Sequence, residues 1–389
     1  MYKVFIMLMF FLFQIKNNSI VNITINPDKD KEVTFLLSDF ASNVKYIKLQ
    51  TDETCMVAQI FKLLIDGENI FIESQYGVDS RLLRFTSEGD FVNEIGLPGR
   101  GPGEYSAVLD FTLNKSKKII YILDTMGKIL LYDYSGTYFN TIKLDSRPSN
   151  LLFYNDALFL FSAWPDYYLN KGYGIEIKQL SENKKDIYLL NRKQIKFQRE
   201  QGVIIYPNYF YGINANKSIS FLEAKFDTLY NIDSKYNIQP KMVLNLINKV
   251  PRDLLTTNDY INARKTHNTY FNFIEVNNYI FFTLITAKLT TYFYLLNKSS
   301  GEVLKHNVTA DKHYIFNDID GGLSFKPQGL ADEGVLYSSI DCYSLKDHLT
   351  KNYSKNVKLK NPAEKENLKK LVKNSDLSDN PIIMLVILK

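Results

Sequence analysis

The stretch Asp318-Ile319-Asp320-Gly321-Gly322 sets two carboxylates two residues apart beside a flexible glycine pair, the kind of arrangement that can hold Ca²⁺. A Ca²⁺ loop collects about six to eight oxygens, and the further ligands and closing bidentate Glu of an EF-hand loop are missing here. No cofactor or metal is therefore expected, with Ca²⁺ at Asp318 and Asp320 the one ion weighed. A second candidate is Gly96-Leu97-Pro98-Gly99-Arg100-Gly101-Pro102-Gly103-Glu104-Tyr105. It lacks the Gly-Lys-Ser/Thr of a phosphate loop, and Glu104 stands where a dinucleotide fingerprint has its third glycine. What remains is a connector with unusual backbone angles, from which Arg100, Glu104 and Tyr105 are offered as ligand-binding groups on a loop. The sole Trp, Trp164, precedes Pro165-Asp166-Tyr167-Tyr168 and reads either as a stacking platform for a sugar or peptide or as a cap on a core. His267, His306, His313 and His348 are scattered without zinc spacing, and no nucleophile elbow marks a catalytic serine. No catalytic residue is assigned.

The glycine-rich stretch lies between two copies of one pattern. Leu82 to Ile95 is echoed by Ile129 to Ile142, with Phe85 and Tyr132, Gly89 and Gly136, and Ile95 and Ile142 all 47 residues apart. Each copy is a strand, a polar turn with Gly where positive φ is tolerated, and a second strand. A strand repeat of this length indicates propeller blades. Six units follow along the chain, beginning near Ala58, Ala107, Asn155, Ser218, Asn278 and Gly329. Runs such as Ile119-Ile120-Tyr121-Ile122-Leu123 are apolar without alternation, as strands covered on both faces must be. The terminal run Ile382 to Leu388 reads as one more buried strand, needed because an open ring would leave unpaired edges. The fold class is accordingly all-β, a six-bladed β-propeller over 58–389, with 20–57 as an N-terminal segment joining it.

Composition agrees. The chain of 389 residues has 27 Tyr and 26 Phe, and aromatic enrichment suits pleated, half-buried surfaces. Residues 345–373 hold nine lysines against Asp347, Glu364 and Glu366, and Pro362 stands where a helix could start. A lysine-rich helical insertion with a solvated face is expected there, ahead of the closing strand. With the rest of the chain not basic, nucleic acid is not an expected partner. Lys3 followed by the apolar run Val4 to Phe13 resembles an export signal over 1–19, too short for a membrane span, so no transmembrane anchor is expected. Cys55 and Cys342 read as buried thiols, with a disulfide between them as the sharper alternative.

Four segments carry a resemblance: Leu37-Ser38-Asp39 followed by Val44 to Leu49, the Gly99-to-Tyr105 turn, Asp318 to Gly322, and the closing Asn380-Pro381 strand. On these the chain resembles the six-bladed propeller proteins of unknown function abundant in Bacteroidetes and related to NHL-repeat propellers. The resemblance implies an exported, periplasmic or cell-surface propeller without an established reaction. The lipid-acceptor Cys near the N-terminus that many members carry is absent. The expected role is a monomeric binding or scaffolding module for a protein, peptide or glycan. The alternative is a hydrolase or lyase acting on a carbohydrate or ester in the central channel, with Asp318 or Asp320 and Arg100 near the substrate.

Overall fold

The computed structural model describes residues 20–389 except 77–78, 147, 162–172, 181–185, 192–208, 214–217, 224–226, 252–261, 277, 309–313, 352–357, 374 and 377. Six sheets stand around a central channel, each a meander of four antiparallel strands. Blade 1 runs Gln59–Asp66, Asn69–Tyr76, Asp79–Thr86 and Phe91–Glu94, and blade 2 runs Val108–Asn114, Ile119–Asp124, Lys128–Asp133 and Tyr138–Lys143. Blades 3, 4 and 5 begin at Asn150–Tyr154, Tyr209–Ile213 and Thr269–Val276. The first strand of each blade lies innermost, and first strands touch at the junctions of blades 1 and 2, 2 and 3, 4 and 5, and 6 and 1.

The 47-residue repeat has a steric cause. Gly89 and Gly136 occupy the turn before the fourth strand at φ +98° and +86°. A Cβ on Gly89 would sit 2.2 Å from the Lys48 carbonyl oxygen, and one on Gly136 would sit 2.8 Å from that of Glu94. Each of these turns thus rests on the outer strand of the preceding blade, and only glycine satisfies both the angle and the approach.

Blade 6 closes the ring with strands from both ends of the chain. Its order is Gly329–Asp332, Val335–Ile340, Ile382–Leu388, then Ala41–Lys48. Met384 pairs with Ser338 on one side and with Tyr46 on the other. Five consecutive residues from Ile382 to Val386 are buried, the pattern of a central strand packed on both faces. Before entering blade 6, the N-terminal segment runs along the outer edges of two other blades. Val21–Ile25 pairs in parallel with Ile238–Leu246 of blade 4, and Lys31–Glu32 pairs with Val303–Val308 of blade 5. This strap covers edges that would otherwise present unpaired backbone groups.

Helix α1 (Leu37–Phe40) leads into the Ala41–Lys48 strand of blade 6. The lysine-rich insertion forms two helices, α2 (Cys342–Lys351) and α3 (Ala363–Lys373). Leu345 and Leu349 of α2, with Leu368 and Val372 of α3, form the buried stripes, four residues apart on each helix. They join a core that includes Phe35, Leu37 and Phe40 of the strap and Phe281 and Phe293 of blade 5. Glu364 and Glu366 occupy the first turn of α3, Lys370 and Lys373 the last, the polarity a helix dipole favours. Among the described residues no helix is long and apolar enough to cross a membrane. Cys55 and Cys342 are both buried free thiols.

Candidate functional site

An antiparallel meander sends its connections alternately to the two ends of the channel. One mouth receives the connections 49–58, 95–107 and 314–328 and the α2–α3 insertion, whereas the other has turns as short as 67–68, 115–118 and 333–334. Loops on a rigid scaffold are where recognition residues concentrate, so the mouth with long connections is the candidate face.

Below that mouth, the inner strands of blades 1 and 2 each carry a β-bulge at the corresponding place, between Ile60 and Lys62 and between Val108 and Asp110. A bulge re-aims side chains, and here it leaves Phe61 and Leu109 out of the interblade packing, at 52% and 41% exposure on strands whose neighbours are buried. Tyr76 and Met126, at the same ends of the second strand of blade 1 and the following turn of blade 2, are exposed to 78% and 67%. The next residue past each bulge is charged and turned inward. Lys62 Nζ lies 2.7 Å from Asp110 Oδ1, which also accepts the Phe111 amide at 2.8 Å. Asp110 Oδ2 accepts the Leu151 amide at 2.8 Å, so one carboxylate ties the inner strands of three blades.

Glu73 faces Lys62 across the sheet and is likewise buried. Its carboxyl makes no hydrogen bond among the described residues. Burial, reinforced by the nearby Asp110 charge and only partly opposed by Lys62, pushes its pKa up to about 8. At neutral pH this group holds a proton beside Asp110. Sequence reasoning passed over Lys62, Glu73 and Asp110. The available signal was Lys62 and Asp110 standing 48 residues apart as charges inside otherwise apolar strands.

Arg100, Glu104 and Tyr105 sit together in the connection from blade 1 to blade 2, with different fates. Gly103 has φ +76°, and the turn is clamped onto blade 2 by the Tyr132 hydroxyl, which donates to the Gly103 carbonyl at 2.7 Å, and by Lys128 Nζ on the Glu104 carbonyl at 2.8 Å. Glu104 folds back, its Oε2 accepting the Gly101 amide at 2.7 Å. Tyr105 is fully buried, which removes it from contact with a ligand. Arg100 is exposed and has no hydrogen-bond or ion-pair partner among the described residues.

Asp318 and Asp320 lie elsewhere, in the connection from blade 5 to blade 6, and both are buried. Asp318 accepts the Ser38 amide at 2.9 Å and the Ser38 hydroxyl at 2.5 Å, holding α1 in place. Asp320 Oδ1 accepts Asn317 Nδ2 at 2.7 Å, the Gly322 amide at 2.8 Å and the Tyr46 hydroxyl at 3.1 Å. Burial raises the Asp320 pKa, and those three donors offset part of the rise. The insertion covers this turn: the Lys360 and Asn361 amides donate to the Asp318 and Ile319 carbonyls, and His348 Nε2 bonds to the Gly321 carbonyl. Neither carboxylate is presented to a substrate in the channel, because strap and insertion enclose both. Among the described residues no three His, Cys, Asp or Glu side chains converge as metal ligands. Trp164 and the export-signal segment 1–19 lie outside the described residues.

Comparison with known proteins agrees with this architecture. The family model described as a domain of unknown function, DUF4934, matches residues 20–387. A crystal structure of a Bacteroides fragilis protein named for its suspected export superposes with a TM-score of 0.71 at 19% identity, covering 95% of this chain and 100% of that one. A DUF4221-family member from Bacteroides vulgatus superposes with a TM-score of 0.54 at 12% identity, covering 93% and 99%. At these identities the two structures speak to the fold. No functionally curated protein matches the sequence.

Proposed function

Because this chain belongs to the DUF4934 family, whose description states no activity, we propose that it is an exported, envelope-associated propeller that binds a protein, peptide or glycan at the mouth with the long connections. The observation that carries this reading is the exposed set Phe61, Tyr76, Leu109 and Met126 on two adjacent blades at that mouth. Large apolar groups grouped at one end of a rigid scaffold mark a contact surface, and bulges hold two of them there. Arg100 at the rim offers an uncommitted guanidinium to a carboxylate or phosphate on the ligand. The signal-like residues 1–19 support export to the periplasm or cell surface.

The test uses peptide and glycan arrays probed with labelled native protein and with a Phe61→Ser/Leu109→Ser variant. Both side chains are exposed, so the variant keeps its melting temperature and loses the array signal. A native protein retained on no peptide or glycan, or a variant that binds as well as native, overturns the proposal.

A further inference from the structure

Exposed apolar side chains are concentrated at the mouth with the long connections. Among the described residues the six most exposed large hydrophobic side chains are Tyr76, Leu289, Met126, Leu97, Tyr343 and Phe61, and all six stand at that end of the channel. Phe61 is on an innermost strand. Tyr76, Met126, Leu289 and Tyr343 each mark the passage from the second to the third strand of a blade, in blades 1, 2, 5 and 6, so the meander brings all four to one face. The short turns of the opposite mouth carry no exposed large hydrophobic side chain among the described residues. Leu289 adds an independent sign. It holds φ +60°, a left-handed conformation that Asn or Gly takes with less strain, and at 73% exposure the fold gains no burial from a leucine there. Cations stand beside these tips. Arg100 follows Leu97 by three residues, Lys288 precedes Leu289, and Tyr343 lies in the first turn of α2, which opens the insertion with its nine lysines against three carboxylates over 345–373. Lys288, Lys370 and Lys373 are exposed and have no ion-pair partner among the described residues.

We propose that the rim of this mouth docks onto the surface of a membrane bearing anionic headgroups. Single apolar tips set on separate blades do not form a pocket; they suit a broad apolar medium into which each dips by itself, with tyrosines at the level of the headgroups. The lysines of the insertion supply the attraction to anionic lipid. A second copy of the chain set face to face would bring the same surplus of positive charge onto both sides of the contact, so charge favours the bilayer over self-association. The inference deepens the function proposed above and rests on it for the ligand: with the rim seated, whatever Phe61 and Leu109 hold is presented at a membrane surface. The docking itself depends on the outer tips and the lysines.

The test is co-sedimentation of the full chain with phosphatidylcholine vesicles made with and without phosphatidylglycerol. Native protein is expected to partition onto the phosphatidylglycerol vesicles, less onto phosphatidylcholine alone, and less again as salt is added. Leu289→Asn weakens the partition about tenfold by removing one inserted side chain, while the melting temperature stays level or rises because Asn takes the left-handed backbone with less strain. Lys370→Gln/Lys373→Gln weakens it about fivefold for each lysine removed. The apolar run Val4 to Phe13 is common to native and variants, so a difference among them reports the rim. Equal partition onto the two vesicle types, or unchanged partition in either variant, overturns the proposal. Absence of partition onto phosphatidylglycerol vesicles also overturns it and leaves the tips to a protein with an acidic face. The Phe61→Ser/Leu109→Ser variant is expected to lose the array signal yet keep its vesicle partition, so the two proposals fail separately.

Discussion

Replacing Asn380 by Ala removes the residue that fastens the two chain ends to each other. Asn380 is buried at the entry to the closing strand, and its amide serves the connection that leaves the other closing strand. Oδ1 accepts the Val57 amide at 2.7 Å, while Nδ2 donates to the Gln50 carbonyl at 2.6 Å and the Cys55 carbonyl at 2.8 Å. The Gln50 carbonyl keeps a second donor in the Cys55 thiol, but Val57 N–H and Cys55 C=O have no other partner among the described residues. Each orphaned buried group costs about 1–3 kcal/mol, so the variant loses about 2–6 kcal/mol, with about 4 as the central value. At about 2.1 cal/mol/K per residue, an unfolding entropy over the roughly 300 described residues is about 0.6 kcal/mol/K, which converts that loss to a melting temperature about 6 °C lower. Differential scanning calorimetry measures it directly. Asn380→Asp separates hydrogen bonding from volume, because a carboxylate of the same shape faces two carbonyls with no donor. It is expected to be at least as damaging as Ala. A melting temperature within about 1 °C of native for Ala, or an Asp variant milder than Ala, refutes the clasp.

Two further outcomes follow from the sites. Gly103→Val forces a β-branched residue to φ +76° with its Cβ 2.7 Å from the Tyr138 ring, and should cost about 2–4 kcal/mol by thermal denaturation. Gly101→Ala meets only the Glu104 carboxylate at 3.2 Å and should be milder; equal losses refute the turn argument. Glu73 has its carboxyl pKa raised to about 8 in the folded protein from about 4.5 unfolded, so the folded state binds the extra proton and stability falls as pH rises between those values. Glu73→Gln abolishes that fall: nearly neutral at pH about 5, it should melt above native at pH about 9, and a gap that does not widen with pH refutes a buried, protonated Glu73.

The blade repeat was legible in the sequence because its marker is steric. Gly89 and Gly136 are fixed by positive φ and by backbone contact with the blade before, so their spacing survives although most side chains between them differ. The closing strand was legible because burial on both faces demands an unbroken apolar run from Ile382 to Val386. The strap edges were not. Parallel pairing leaves no turn signal, and Val21–Ile25 and Lys31–Glu32 are short and mostly exposed, so nothing in their pattern names Met242 or Leu304 as partners. The same distance in sequence hid the role of Asp318 and Asp320. As a local motif they read as a turn open to a cation; in the fold, Ser38 and Tyr46, from the far end of the chain, satisfy them. Bulges hid the channel ions, since a one-residue insertion exchanges the faces on which Phe61 and Lys62, or Leu109 and Asp110, are expected.

The channel carboxylates also weigh between binding and hydrolysis. Hydrolysis of a glycoside by two carboxyl groups needs one proton donor and one carboxylate free to act as base or nucleophile. Glu73, protonated near neutral pH, has the character of the donor. Asp110 does not have the character of its counterpart: Oδ1 is engaged by Lys62 and the Phe111 amide, Oδ2 by the Leu151 amide, and the side chain is buried. Freeing either oxygen for a substrate would strip an inner strand of its tether. The pair therefore has the arrangement of a joint between blades. The side chains left exposed beside it, Phe61 and Leu109, are apolar and suited to contact rather than proton transfer, which directs the search at this mouth toward a bound partner.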